Sequence, residues 1–461
     1  MAIATLESER ASGPAAGPAP DGTPLREPPA VDLPRAIQVV RFSRRQIEFV
    51  FRARRELGEV FCMKAGISGD VIVSSHPDHA RSLFTAKPEL VPTLTSESPL
   101  RPFVGPSSVL TTNGPGHLRQ RRLLLPPFHG DAIARYTDMI GVVTEREIAS
   151  WPVGTPFALA PHMQAITLEV IMSGIFGIEG PPAPGTPEAR LVAAIRYLTS
   201  ASTSPLAKIA EIANTGRDEP VGFSRLGAAR LNRAIFAVID ARRDADLGER
   251  HDILSLLLQV TDEGGEPLTA SELRDQLVTL LLAGFETTAN SLAWTWERLL
   301  RNREAHERLV SAVREERDAD EQIDATIYET MRNRPVIPIV GRRVAVPWQL
   351  GEYVVPADSA VSISVLLLHH REELYPEPFA FRPERWLGGR TPGTYEWIPF
   401  GGGTRRCLGA ALAMAEQRVV LRAMAERLDL RAERPEPERA LHRNVTMIPA
   451  RGARAVVVAR H

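Results

Sequence analysis

The chain has 461 residues, of which 44% are hydrophobic, and a formal net charge of −1. That length holds a large core and by itself allows roughly three domains, while the even charge balance gives no footing to a nucleic-acid or strongly acidic partner. Two cysteines cannot build a disulfide framework; no stretch approaches the ~18 apolar residues of a membrane span, and the first residues lack a signal-peptide pattern, so the expectation is a soluble, cytoplasmic protein.

Residues 1–35 are rich in Pro, Ala and Gly and read as a flexible tail. From Ser43 to Leu57, Ile47, Val50 and Phe51 recur at helical spacing. Val60–Met63 and Val71–Val73, separated by Gly66 and Gly69, read as a hairpin in which Cys62 is a packing residue. Residues 88–112 form a Pro- and Ser-rich irregular stretch, long enough to suggest a functional loop. Asn113-Gly114-Pro115 then opens a helix on which His117 and Arg121, four apart, share a face. Such a pair suits a bound carboxylate, or is simply a solvated basic face. Arg119 and Arg122 point elsewhere on that helix and are candidates for a basic docking surface. From about 131 to 250 the pattern is mainly helical, with a poorly periodic part at 195–225.

Thr269 and Glu272 form a capping box that starts a long helix, expected over about 271–301. Its middle reads Leu280-Leu281-Leu282-Ala283-Gly284-Phe285-Glu286-Thr287-Thr288. A buried helix normally avoids both glycine and an uncompensated carboxylate. Breaking both rules at one place points to a functional site: Gly284 would admit a flat cofactor, Thr287 could open the helix locally, and Glu286 could carry protons. Glu329 and Arg332 are one turn apart on a later helix. Adjacent His369 and His370 cannot face one metal. Finally Phe400-Gly401-Gly402-Gly403-Thr404-Arg405-Arg406-Cys407-Leu408-Gly409 sets a cysteine at a helix start beside Arg405. Backbone N–H groups and the nearby cation favour a thiolate there, suited to ligating haem iron.

This last stretch resembles the haem-binding signature of the cytochrome P-450 superfamily, with Phe400, Gly403, Arg405, Cys407 and Gly409 at its fixed positions. Ala283 through Thr288 is similar to the family's oxygen-activation motif, and Glu329, Arg332 and Arg385 to its Glu-x-x-Arg network. The resemblance covers about 40–461 and implies a mainly α fold with a smaller β-rich region, acting as one haem-thiolate monooxygenase domain over 36–461. It implies haem b on Cys407, with His117, Arg121, Ala283, Gly284, Arg342 (or Arg343 in its place), Phe400, Gly401, Arg405 and Gly409 around it. It further implies Glu286 and Thr287 as proton-delivering residues, and Ala283, Val336 and Ile337 (the last two on the strand after the Glu-x-x-Arg helix) in the substrate pocket. Glu329, Arg332 and Arg385 become a structural support for the cysteine loop, residues 88–112 cover the distal pocket, and 195–225 is a lid. Electrons would come from NAD(P)H through a ferredoxin or flavodoxin and its reductase, and the substrate would be an apolar molecule such as a fatty acid, terpenoid, steroid or polyketide. The alternatives are a haem-thiolate sensor without turnover and a peroxide-driven peroxygenase.

Overall fold

The computed structural model describes residues 25–461 except 67–68, 129, 181, 203–209, 211–212, 249, 263, 390 and 444. The flexible tail expected for 1–35 therefore lies, for 1–24, outside the described residues. Its remainder departs from the expectation: Arg26 bridges Tyr353 and Ala30 bridges Cys62 in parallel. Backbone N–H groups on either side of Pro28 and Pro29 are used, Arg26 donating to the Glu352 carbonyl at 3.1 Å and Val31 to that of Cys62 at 2.9 Å. A proline-rich segment can line a sheet edge in this way, because only alternate groups need to bond.

In chain order, helix α1 (Arg35–Leu57) leads into strands β1 (Val60–Gly66) and β2 (Gly69–Ser74) and helix α2 (Pro77–Thr85). Helices α3 (Gly114–Leu124), α4 (Asp131–Ala149) and α5 (Leu159–Phe176) follow, then α6 (Ala270–Leu299) and α7 (Ala319–Asn333). Strands β3 (Ile339–Arg343) and β4 (Ala360–Ser364), helix α8 (Ala410–Arg427) and the hairpin β5 (Ala440–Arg443) and β6 (Thr446–Pro449) complete the set used below.

The chain divides into two compact units. The first takes the residues up to Thr95, Arg332–Ala380 and Thr391–Cys407. Its sheet runs β1-β2-β4-β3: β1 and β2 are an antiparallel hairpin with Cys62 opposite Ile72, β2 lies parallel to β4, and β3 returns antiparallel. All five residues of β4 are buried, as expected of a central strand covered on both faces. Leu83 and Phe84 of α2 pack with Ile72, Val361, Ile363 and Ile398 in the core of this unit. Cys62 packs against that cluster, and burial, then the charge of Asp70, push its thiol up, so it is the packing residue the sequence suggested.

The second unit takes Ser96–Met331, Phe381–Arg390 and Leu408–His461. It is built on α6, which packs along α5. The capping box forms as expected, Thr269 Oγ1 accepting from Glu272 N and the Glu272 carboxylate accepting from Thr269 N. Helix α5 is 18 residues long and apolar enough to cross a membrane by length and composition, but 56% of it is buried within the protein, against α4 and α6. It is a core helix, though the sequence showed no such stretch. The hairpin β5–β6 leans on α6, where Trp294 Nε1 donates to the Met447 carbonyl at 2.9 Å.

Candidate functional site

Helix α6 is buried from Leu273 to Leu281 and again from Thr288 to Leu299. Between these stretches Leu282, Ala283, Gly284, Glu286 and Thr287 are partly or fully exposed. An open window in the middle of an otherwise enclosed helix is where a long core element presents chemistry instead of packing. Gly284 does not serve as expected on its packing side. A Cβ there would come within 2.5 Å of Ile171 Cδ1 on α5, so the missing side chain lets two helices close on each other. Nor does Thr287 open the helix: α6 is continuous, and Thr287 Oγ1 donates to the Ala283 carbonyl at 2.8 Å within it.

Glu286 has a partner that sequence reasoning missed. Arg443, on β5, donates to its Oε1 through Nη2 at 2.6 Å and Nε at 3.1 Å, with Thr446 Oγ1 3.5 Å away. The two side chains are 20% and 17% exposed, so the carboxylate expected to carry protons is a half-buried ion pair.

Cys407 stands in the first unit, two residues before Gly409, the N-cap of α8. Its thiol is exposed. The loop is closed by the Cys407 N–H donating to the Phe400 carbonyl at 2.9 Å, and Phe400 meets Trp397 edge to face at 6.3 Å. Gly401 and Gly403 have φ of 69° and 62°, a region that favours glycine. A Cβ on Gly403 would fall 1.9 Å from the Phe84 carbonyl oxygen, so this glycine admits α2 against the loop. Arg405 ends a short 3-10 turn, Gly403–Arg405, and is half-buried.

Arg342 and Arg343 separate clearly. Arg343 is half-buried and donates to the Asp358 carbonyl. Arg342 is 6% exposed and its guanidinium lies 5.2 Å over the Phe84 ring. Its described hydrogen bond runs to the neighbouring Gly341 carbonyl at 2.9 Å, and it has no carboxylate partner among the described residues. Burial pulls its pKa down to about 10. A desolvated cation without a counter-charge is unfavourable until an anion joins it.

On α3, His117 is buried and Arg121 half-buried, one turn apart. Arg119, expected on a docking surface, is committed elsewhere in the second unit: Nε donates to Asp262 and Nη1 to Glu272, both at 2.7 Å. The reason is that α3 lies beside the start of α6, where those acids collect. The side chain of Arg122 is exposed.

Glu329 is fully buried and accepts from Arg382 N at 2.8 Å, Trp386 Nε1 at 2.9 Å and Arg385 Nε at 3.3 Å. Arg332, in the first unit, donates to the carbonyls of His369 and Pro378 at 2.8 Å and of Ala380 at 3.0 Å. These are structural contacts. His369 Nε2 accepts from Ile398 N at 2.8 Å, and His370 Nδ1 bonds the Leu366 carbonyl, so neither histidine is free for a metal. No group of three metal-ligating side chains occurs among the described residues. Val336 and Ile337 are half-buried, in the bend before β3 instead of on a strand; Pro335 and Pro338 keep that bend out of the sheet. Of the expected lid, 203–209 and 211–212 lie outside the described residues.

The donor set fits a haem. A thiol near a helix N-terminus suits its iron, and a buried guanidinium without a carboxylate, as at Arg342, suits an anionic propionate.

Comparison with known proteins agrees. The family model for cytochrome P450 matches residues 28–455. Two relatives in Mycobacterium tuberculosis, whose own names are provisional, are similar along their length. Cytochrome P450 135B1 is 37% identical over 440 residues, 93% of this chain and 90% of that one. Cytochrome P450 137 is 35% identical over 463 residues, 95% and 92% of the two chains. Among solved structures, cyanobacterial CYP120A1 with retinoic acid bound superposes with a TM-score of 0.79 at 22% identity, covering 94% of this chain and all of that one. The haem domain of cytochrome P450DA gives 0.79 at 21% identity, covering 95% and 98%.

Proposed function

The chain belongs to the cytochrome P450 family, and from that premise we propose that it inserts one oxygen atom into an apolar small molecule of the fatty-acid, terpenoid, steroid or polyketide kind. As a member of the family it is a haem-thiolate monooxygenase. The proposal extends to the substrate, the electron supply and the parts its residues play. Electrons reach it from NAD(P)H through a separate ferredoxin or flavodoxin and its reductase, in the cytoplasm, where free thiols such as Cys62 and Cys407 stay reduced.

The observation that carries the reading is the window on α6. Leu282 and Ala283 offer apolar surface there beside an acid and an alcohol, Glu286 and Thr287. Apolar walls with a few convergent polar groups are the ordinary form of a small-molecule site.

Haem, when bound, supplies dioxygen activation and oxygen transfer. Cys407 holds it as a thiolate, kept charged by the α8 N-terminus and by Arg405. Arg342 neutralises one propionate, and His117 with Arg121 serves the other. Thr287 donates a proton through Oγ1 after turning from the Ala283 carbonyl, and Glu286 replenishes it. Ala283, Val336 and Ile337 contact the substrate, so that its reacting carbon is held in place and water is kept out. All of 36–461 acts as one catalytic unit.

The test is the absorption spectrum of the reduced protein under carbon monoxide, followed by titration with apolar compounds. A Soret band at the red-shifted position of thiolate-ligated haem is expected, absent in Cys407→Ala. Apolar compounds should then change the iron spin state. A band at the histidine-ligated position overturns the ligand assignment. A thiolate band with no response to any apolar class, against a response to polar compounds, overturns the substrate class.

A further inference from the structure

Helix α1 is bent. Arg45 has non-helical angles, φ −145° and ψ 55°, inside it, which leaves Arg35–Arg44 as a separate first arm. This arm is anchored by Gln38, which is wholly buried, and by Phe42, which meets Phe49 edge to face at 6.3 Å. The Gln38 amide donates to the carbonyls of Val31 at 3.0 Å and Leu33 at 2.8 Å, and its oxygen accepts from Lys64 N at 2.8 Å.

The opposite face is unusual. Ile37, Val40, Arg41 and Arg44 follow the i, i+3, i+4, i+7 spacing and so form one stripe. Ile37 is 43% exposed and Val40 51%. Single exposed apolar residues are ordinary, but adjacent β-branched ones on a short helix arm call for a covering phase. Arg35, Arg41 and Arg44 are exposed, and no ion pair or hydrogen bond joins them to any described residue. No acidic residue occurs between Arg35 and Arg45; the next is Glu48, which is paired with Arg45 at 3.2 Å.

We propose that this arm is a membrane-surface face, which seats the protein on an anionic lipid bilayer without spanning it. Ile37 and Val40 enter the boundary between headgroups and acyl chains, while Arg41 and Arg44 lay their aliphatic stems along it and set their guanidinium groups on phosphates. Charge selects this occupant over a second copy of the chain. A two-fold contact through the same stripe would bring Arg41 and Arg44 against their own equivalents, with no acid in the arm to separate them. A lipid surface meets both demands of the face, the apolar and the cationic, with one partner. This inference concerns where the protein sits and does not depend on the reading of the haem site.

The test is sedimentation of the full-length, haem-loaded protein with vesicles of phosphatidylcholine alone and of phosphatidylcholine mixed with phosphatidylglycerol. Binding is expected to the mixed vesicles, weakening by roughly tenfold between low and high ionic strength as the charges are screened. The pair Arg41→Glu with Arg44→Glu should lower that affinity by about tenfold or more. The pair Ile37→Ser with Val40→Ser should remove the part that survives high salt. Far-ultraviolet circular dichroism and the thermal midpoint should match the parent protein in both variants, since every substituted side chain is exposed. Failure of the parent protein to bind mixed vesicles would overturn the proposal. So would binding that neither pair of substitutions weakens, or a lipid-free dimer that Val40→Ser dissolves, which would give the face to a second copy.

Discussion

Arg443 closes on Glu286 through a single oxygen, Nη2 and Nε both donating to Oε1, across 157 positions of sequence. The contact ties the exposed window of α6 to the β5–β6 hairpin. It also fixes the carboxylate in place, so that moving it requires the pair to loosen. Replacing Glu286 by Gln should slow product formation by about 10- to 100-fold, as expected for loss of a positioned acid. Arg443→Gln leaves the acid in place but frees it, and should cost less than the loss of the acid itself. Both are read as product formed per NAD(P)H consumed, with haem content unchanged. Equal rates in all three proteins would remove Glu286 from the proton route.

Thr287→Ala removes the hydroxyl that donates to the Ala283 carbonyl. Helix α6 should keep its stability within about 0.5 kcal/mol, since Ala is the better helix former. Product should fall and hydrogen peroxide should rise in proportion, measured together during turnover. A pure ligand-binding protein would show neither change.

Arg342 is a buried cation whose described neighbours include no carboxylate. Arg342→Leu should therefore leave the haem-free protein as stable or stabilise it by ~1–3 kcal/mol, while haem is lost more readily to a scavenger such as apomyoglobin. Arg343→Ala, which removes a side chain committed to the Asp358 carbonyl, should leave the haem-transfer rate unchanged. Denaturant titration of the haem-free form and the haem-transfer rate give the two readouts separately.

Glu329 satisfies three donors at once. Glu329→Ala would take the carboxylate from the Arg385 guanidinium, which is 7% exposed, and should cost ~3–5 kcal/mol in urea unfolding. If Trp386 and Arg385 act only as structure, the surviving folded fraction should keep its turnover number.

At the start of α6 the Arg119 guanidinium holds two carboxyls. The Asp262 carboxyl is lowered by the Arg119 bond first, then by backbone donors. Burial pushes the Glu272 carboxyl up, but bonds from Thr269 and the charge of Arg119 outweigh it and leave it lowered. A carboxyl whose pKa is depressed on folding binds fewer protons folded than unfolded, so its contribution is complete above the ordinary carboxylate range and is lost as pH falls through the depressed value. Wild type should thus exceed Arg119→Ala in stability at neutral pH, and the gap should narrow below about pH 4. A gap independent of pH would mean that Arg119 contributes packing alone.

What the sequence disclosed depended on how far apart the cooperating residues lie. Cys407 and its glycines are consecutive, and so are the residues of the α6 window, and each could be read as a local violation of helix or core rules. The capping box of Thr269 and Glu272 is equally local. Arg443 was invisible because its role exists only once β5 meets α6. Arg119 was misplaced for the same reason, its acids being 143 and 153 positions away. Gly284 shows a different limit. A glycine in a buried helix signals close approach, but not by what, and here the space it leaves belongs to Ile171. Residues 25–35 were misread because composition counts prolines and not the N–H groups between them.

The uncompensated charge of Arg342 also bears on the life of the protein in a cell. A chain folded before its cofactor arrives carries that penalty in its interior and spends more time open, where proteases reach it. A propionate set on Arg342 would remove the penalty and shelter the chain. Its abundance should then follow haem supply, with one buried arginine marking unfinished molecules for turnover.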